Sequence, residues 1–242
     1  MLLGREPPRF EPERPPEGLD ALNPEQRLAV ERSLAARDLF CVHGPPGTGK
    51  STVLAAVARN AVARHGRILC TAASNAAVDH GVELCLAEGL RVVRIGHPAR
   101  VSPRLVEHTL DVQVERHPDR TLARQLFDDA FELLGHARKQ RQRGRSRERF
   151  ANARSAQAEA RELMDEARAL ERKAVRHVLE NADVLCATLT ALGGAPLSTL
   201  RFPLALVDEA TQATEPLTLL AFLRADRVVL AGDHRQLPPT VL

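Results

Sequence analysis

The chain has 242 residues, of which 44% are hydrophobic and 27% are charged, which excludes a disordered chain, a collagen-like chain and a disulfide-stapled miniprotein. The sequence has no run of ~20 apolar residues that could span a membrane, and it begins with charge and proline rather than a signal peptide, so we expect a cytoplasmic protein with no membrane partner. The net charge is only +3, so binding to nucleic acid would have to come from local basic patches.

Residues 1–20 are rich in proline and charge and are predicted to form a tail or linker before a domain over 21–242. Asn23, Pro24 and Glu25 predict the start of a helix. Short apolar runs then alternate with helical segments, which favours a parallel sheet flanked by helices. The predicted strands are 39–43, 67–71, 91–95, 184–188, 204–208 and 227–231. The four cysteines form no CxxC pair, and those in strands are expected to be buried.

The first predicted strand runs into a glycine-rich segment, Gly44-Pro45-Pro46-Gly47-Thr48-Gly49-Lys50-Ser51, and a helix follows it. This is the G-x-x-x-x-G-K-[ST] pattern in its strand–loop–helix context. Glycines let backbone N–H groups surround phosphate oxygens, Lys50 reaches the β and γ phosphates, and Ser51 offers its hydroxyl to Mg²⁺. A chance match is expected in on the order of one chain in a hundred, so the segment predicts a nucleotide site.

The segment from about Thr121 to Asn181 has almost no strand signal and no proline. Apolar residues recur there at spacings of three and four, which predicts a long helix with a narrow seam against a partner helix. We predict an antiparallel helical hairpin that turns at 143–146, within an insertion spanning 103–182. The expected seam is Ala153, Ala156, Ala160, Leu163, Ala167, Leu170 and Ala174, facing Leu122, Leu126, Ala130, Leu133 and Leu134.

The predicted tip of this hairpin is basic. Arg141, Arg143 and Arg145 lie in a run of positive charges that is relieved only by Glu148. Such a cluster would neutralise phosphates without reading base sequence, which makes these arginines candidates for nucleic-acid contact. The alternative is a solvated tip in a protein whose basic residues are nearly all arginine.

The strand predicted at 204–208 ends in an acidic pair, Asp208 and Glu209. Alone, such a pair is more often a solvated turn. Following a phosphate-binding loop, it indicates that Asp208 holds Mg²⁺ together with Ser51 and that Glu209 polarises an attacking water.

These motifs together resemble those of superfamily 1 helicases. Residues 44–51, 208–212 and 232–239 are similar to motifs I, II and III, and they look most like the 1B branch of the nonsense-mediated-decay and immunoglobulin μ-binding helicases. Residues 22–26 match the Q motif, 71–79 resemble motif Ia, and 186–190 resemble motif Ic. Ala73 stands where motif Ia usually has a proline.

The resemblance implies an α/β fold of the P-loop NTPase class: a RecA-like parallel sheet with helices on both faces and an inserted helical hairpin. It implies that Gln26 reads the adenine edge, that Asp233 and Gln236 lie near the γ-phosphate, and that Ser74, Asn75 and Thr188 hold a nucleic-acid strand. Lys50, Asp208, Glu209 and Gln236 form the implied catalytic set. The implied nucleotide-binding set is Gln26, Gly44, Pro45, Pro46, Gly47, Thr48, Gly49, Lys50, Ser51, Thr52, Gln212 and Asp233.

The implied function is the ATP- and Mg²⁺-binding half of a 5′→3′ helicase acting on single-stranded DNA or RNA. A second RecA-like domain, in cis in the parent protein, is expected to complete the ATP site, so weak activity is expected of this chain alone. A non-catalytic ATP- and nucleic-acid-binding module is the alternative. An unrelated P-loop ATPase with a coiled-coil arm fits the hairpin, but it lacks motif III and carries a longer hairpin.

Overall fold

The computed structural model describes residues 9–11, 14–142, 147–236 and 238–239. Six strands form one sheet in the order β1-β6-β5-β2-β4-β3, and every neighbouring pair is parallel. The predicted α/β fold class is therefore confirmed. The strands are β1 Leu39–His43, β2 Ile68–Ala72, β3 Val92–Ile95, β4 Val184–Thr188, β5 Phe202–Asp208 and β6 Ala225–Gly232.

Seven α-helices are described in the same ranges. The helices are α1 Pro24–Ala35, α2 Lys50–His65, α3 Asn75–Ala87, α4 Leu110–Glu115, α5 Pro118–Gln142, α6 Arg147–Asn181 and α7 Glu215–Arg224. Short 3₁₀ helices lie at Pro98–Arg100, Pro103–His108, Leu189–Gly193, Leu197–Thr199 and Ala210–Gln212.

β2 lies inside the sheet and is buried on both of its faces. Ile68, Cys70 and Ala72 of β2 join a core cluster with apolar residues of α1, α2 and α3. Leu69 and Thr71 point to the opposite face and are fully buried as well. Side chains alternate along a strand, so burial of all five residues requires cover on each face, as is usual for parallel sheets.

Side-chain caps set the first residues of two helices. Asn23 caps α1 by accepting a hydrogen bond from the Gln26 backbone N–H at 2.8 Å, and the Gln26 side chain accepts from the Asn23 N–H at 3.1 Å. Ser74 caps α3 by accepting from the Ala77 N–H at 3.1 Å. Such caps satisfy N–H groups that have no partner within the helix.

The structure corrects some details of the sequence analysis. β5 and β6 each begin two residues earlier than expected. Cys41 is exposed on β1 rather than buried. Glu17 and Gly18 of the expected tail lie against α2, where Arg59 donates to their carbonyls at 2.6 and 2.7 Å.

The chain divides into two compact units. One contains the sheet and comprises the residues up to Thr109 and from Asn181 onwards; the other is Leu110–Glu180. In the second unit, α5 and α6 are joined by ion pairs of Arg120 with Glu171 and of Lys173 with Asp119.

A seam of alanines every seven residues runs along α5 and α6. Ala130 of α5 and Ala160 of α6 have no exposed surface. The alanines seven residues before and after each of them are buried as well. The buried set is Ala123, Ala130, Ala137, Ala153, Ala160, Ala167 and Ala174. Leu122, expected in the seam, is 45% exposed because its neighbour Ala123 faces the partner helix instead. The expected turn at 143–146 lies outside the described residues.

Replacing Ala160 by leucine should destabilise the helical unit by about 1–3 kcal/mol, because the seam has no room for three more carbons. Ala158 is exposed on the same helix, and Ala158→Leu is the matched control. Thermal unfolding followed by circular dichroism checks both variants. Equal melting temperatures for the two variants would contradict a close-packed alanine seam.

Candidate functional site

The predicted site residues lie at the carboxyl ends of the parallel strands. His43 at the end of β1 is in register with Gly232 of β6. Ala72 at the end of β2 is in register with Asp208 of β5 and with Thr188 of β4. Because parallel strands end at one edge, the sheet brings the phosphate-loop, acidic-pair and motif III segments together there.

The phosphate-loop segment turns sharply between β1 and α2. Gly47 and Gly49 adopt φ values of +76° and +82°, which glycine tolerates best. Lys50 Nζ donates to the carbonyl of Gly44 at 2.8 Å, so the ammonium lies over the loop. The first turn of α2 contains no acidic residue, so its positive end is available to an anion.

The remaining loop residues are placed around this turn. Thr48 Oγ1 donates to the Pro45 carbonyl at 2.8 Å. Pro45, Pro46 and Gly47 are exposed on the loop, and Thr52 is exposed in the first turn of α2.

Gln26 lies beside the phosphate loop. Its Nε2 donates to the Thr48 carbonyl at 3.0 Å while its Oε1 accepts from the Asn23 N–H. A methyl group at Gly49 would come within 2.5 Å of that Nε2. The side chain therefore fastens α1 to the loop, a role that the sequence analysis did not anticipate. An open pocket of about 500 Å³ between α1 and the loop is lined by Asn23, Gln26, Ala29, Gly44, Thr48 and Lys50 among others.

Asp208 is 4% exposed at the end of β5. It accepts hydrogen bonds from Ser51 Oγ at 3.4 Å and from the Glu209 N–H at 2.9 Å. Burial raises the pKa of the Asp208 carboxyl above its ordinary value. Two oxygens bound side by side to an octahedral Mg²⁺ lie about 3 Å apart, so the hydroxyl of Ser51 and the carboxylate of Asp208 fit this cation.

Glu209 has a left-handed backbone, with φ 48° and ψ 42°. Among the described residues it is the one non-glycine residue with positive φ. Its carboxylate accepts from Gln212 Nε2 at 3.4 Å. Strained conformations of this kind are concentrated at functional sites.

Asp233 follows β6 and is 4% exposed. Its carboxylate accepts from the Arg235 N–H at 3.0 Å and from Gln236 Nε2 at 3.4 Å, and it lies 3.3 Å from His43 Nε2. The Arg235 N–H is the main reason that the pKa of Asp233 is lowered. These contacts place Asp233 and Gln236 next to the start of the phosphate loop.

Two of the candidate nucleic-acid residues, Asn75 and Thr188, contact neighbouring side chains. Asn75 Oδ1 accepts from Arg94 at 2.8 Å, and Thr188 Oγ1 lies 3.0 Å from Thr190 Oγ1. An open groove of about 740 Å³ is lined by Ala73, Ser74, Gln212, Arg235, Gln236, Pro238 and Pro239. Gln212, expected at the nucleotide, therefore shares a groove with Ser74.

Arg94 was missed as a site residue. It is fully buried in β3, and its guanidinium donates to Asp79 Oδ1 at 2.9 Å, to Asn75 Oδ1 and to the Ile95 carbonyl. The other Asp79 oxygen accepts from the Ser102 N–H at 2.8 Å. The signal in the sequence was an arginine among the apolar residues of the predicted strand 91–95.

The chain is similar in sequence to a protein family and to several known proteins. A family model described as an AAA domain matches residues 21–242. DNA polymerase alpha-associated DNA helicase A of Schizosaccharomyces pombe is 37% identical over 220 residues, which cover 91% of this chain and 32% of that protein. The DNA-binding protein SMUBP-2 of Mesocricetus auratus is 36% identical over 248 residues, covering 100% of this chain and 24% of that protein. The chain belongs to the superfamily 1 helicases.

The matched part is the first RecA-like domain of these helicases, as the motifs predicted. The regulator of nonsense transcripts 1 of Caenorhabditis elegans is also similar, at 34% identity over 235 residues, covering 93% of this chain and 19% of that protein. The chain thus spans about a third or less of the length of these helicases.

The remaining expectations concern the basic tip of the hairpin and membrane-spanning segments. Arg143 and Arg145 lie outside the described residues, and Arg141 belongs to the last turn of α5. Within the described ranges, we find no helix with the length and hydropathy needed to cross a membrane.

Proposed function

We propose that this chain is the ATP-binding motor half of a helicase that moves 5′→3′ on single-stranded DNA or RNA. The observation that carries the proposal is the pairing of Ser51 with Asp208 directly beside Lys50 and the start of α2. Family membership supports the helicase class, and the direction of movement is proposed from the resemblance to the 1B branch.

In the proposed mechanism, Lys50 and the N–H groups at the start of α2 bind the triphosphate. Ser51 and Asp208 would hold Mg²⁺, which neutralises charge on the β and γ phosphates. Glu209 orients the attacking water, and its strained backbone fixes where the carboxylate lies. Asp233 and Gln236 respond to loss of the γ-phosphate, because motif III begins beside the strand that leads into the phosphate loop.

Nucleic-acid binding is proposed for the groove that Ser74 shares with Gln212 and Gln236. A strand in this groove would contact motif Ia and motif III together, which links strand position to the state of the nucleotide. Asn75 and Thr188 would extend this contact along the strand, and Arg141, Arg143 and Arg145 would add salt-dependent phosphate contacts.

A second RecA-like domain in cis is proposed to close the other side of the ATP site. The proposal is supported by the relatives, of whose length this chain matches about a third or less. An arginine supplied across such a cleft accelerates phosphoryl transfer by about 10³–10⁵-fold in P-loop enzymes.

Lys50→Ala tests nucleotide binding. We expect the affinity of the chain for a fluorescent ATP analogue in Mg²⁺ to fall about tenfold or more, because the ammonium that lies over the loop is removed. Lys139 is exposed on α5, and Lys139→Ala is the matched control. Unchanged affinity in Lys50→Ala would contradict the proposed site.

The proposed binding of single-stranded nucleic acid is tested by a separate measurement. Fluorescence anisotropy of single-stranded oligonucleotides should show binding that weakens with salt and weakens further in Asn75→Ala. ATP turnover stimulated by the strand, measured on the parent protein with its proposed second RecA-like domain, separates the motor from the alternative, a module that binds both ligands without hydrolysis.

A further inference from the structure

A cluster of metal-binding side chains lies outside the proposed Mg²⁺ position. His43 ends β1, and Asp233 and His234 follow β6. Because His43 and Gly232 are in register on neighbouring strands, the two residues after Gly232 come back beside His43. One ligand atom of each of the three side chains lies within 4.8 Å of the other two.

The distances suit a small tetrahedral cation. His43 Nε2 and Asp233 Oδ1 are 3.3 Å apart, and two donors on a tetrahedral zinc ion are separated by about 3.3 Å. The ring centroids of His43 and His234 are 4.6 Å apart, with an interplanar angle of 39°. Asp233 is buried and fixed by the Arg235 N–H and Gln236, whereas both histidines are exposed and can turn towards it.

We propose that His43, Asp233 and His234 form a binding site for Zn²⁺ or a similar first-row transition metal ion. Two imidazoles and one carboxylate are a donor set typical of zinc sites that keep a fourth position open to water. Mg²⁺ prefers oxygen donors only, as the Ser51 and Asp208 pair offers, so the two ions select different positions.

An ion at this site would join the residue before the phosphate loop to motif III. Asp233 would then be held by the metal as well as by its hydrogen bonds. If the proposed function is correct, the ion would also slow the response of Asp233 to the γ-phosphate. The metal site itself does not depend on that function, because its test needs no nucleotide.

The test uses Co²⁺ as a spectroscopic substitute for Zn²⁺ in nucleotide-free protein. We expect one Co²⁺ per chain with visible absorption and no intense near-ultraviolet thiolate band, displaced by Zn²⁺ and unaffected by excess Mg²⁺. His43→Asn and His234→Asn should each weaken binding about tenfold or more, because each removes a direct ligand.

Two control variants test whether Co²⁺ binds at other residues instead. Cys41 lies in the same pocket as His43 and His234, and Cys41→Ser should leave the affinity unchanged. His80 is exposed on α3, and His80→Asn should also have no effect. The proposal would be overturned by no binding, by a thiolate band, or by an affinity of the His43→Asn or His234→Asn variant equal to that of the unaltered chain.

Discussion

Replacement of Arg94 by alanine is expected to lower the free energy of unfolding by about 3–5 kcal/mol. Arg94 is fully buried, and Asp79 is 13% exposed in its side chain. Without the guanidinium, Asp79 and the Asn75 amide lose their charged partner inside the protein, and a buried charge without a partner is costly. Urea unfolding followed by circular dichroism measures the change.

Arg91 offers the matched control. It is also paired with an aspartate, Asp183, at 2.7 Å, but its side chain is 68% exposed. Arg91→Ala should lower the free energy of unfolding far less than Arg94→Ala, because water already solvates this arginine. A similar loss in both variants would show that burial of Arg94 contributes little.

Replacement of Arg94 is also expected to affect nucleic-acid binding. Its bond to Asn75 Oδ1 orients the side chain that we propose to contact the strand. Arg94→Lys keeps the charge but cannot make all three hydrogen bonds of the guanidinium. The variant should therefore bind single-stranded oligonucleotides more weakly at temperatures where it remains folded. Oligonucleotide affinity equal to that of the unaltered chain would leave Arg94 a purely structural role.

Asp208→Asn is expected to stabilise the fold while removing the effect of Mg²⁺ on nucleotide affinity. Burial raises the pKa of Asp208 in the folded state above its value in the unfolded chain. Ionisation of this carboxyl therefore costs stability, and that cost is fully present once the pH exceeds the folded-state pKa. Asparagine avoids the cost, so the melting temperature of the variant should be higher at pH 7.

The stability difference between Asp208→Asn and the unaltered chain should depend on pH. The stability advantage of Asp208→Asn should shrink as the pH falls through the raised pKa, because the protonated aspartic acid is then neutral as well. In the same variant, Mg²⁺ should increase nucleotide affinity about tenfold less than in the unaltered chain, because one metal ligand is gone. Nucleotide titrations with and without Mg²⁺ measure this loss.

Asp226 is the control for Asp208. It lies on β6 with a side chain 70% exposed, and Asp226→Asn should change neither stability nor the response to Mg²⁺. A melting temperature lowered by Asp208→Asn would mean that the hydrogen bonds from Ser51 and Glu209 outweigh the cost of burying the charge.

The sequence predicted the sheet well because each strand is a short apolar run with clear ends. β1 and β4 match the predicted bounds, whereas β5 begins two residues before the predicted start and includes Phe202 and Pro203. The hairpin seam was harder to predict, because alanine contrasts weakly with its neighbours. Leu122 has the stronger hydrophobic signal, yet the helices meet through Ala123.

Site residues can be proposed from the sequence most directly where one segment carries the whole signal. The phosphate loop is such a segment, since its glycines, Lys50 and Ser51 are consecutive. Arg94 is different, because its partners Asn75 and Asp79 lie on another element and only folding brings them together. The second contact of Gln26, with the carbonyl of Thr48, was equally invisible in the sequence.

The seven-residue recurrence of buried alanines in α5 and α6 has an evolutionary consequence. Insertion of seven residues into each helix would lengthen the arm by about 10 Å and return every later side chain to nearly its original face. Insertions of other sizes would rotate the outer part and expose the alanines. The helical pair can therefore lengthen or shorten in whole repeats without redesign of its interior.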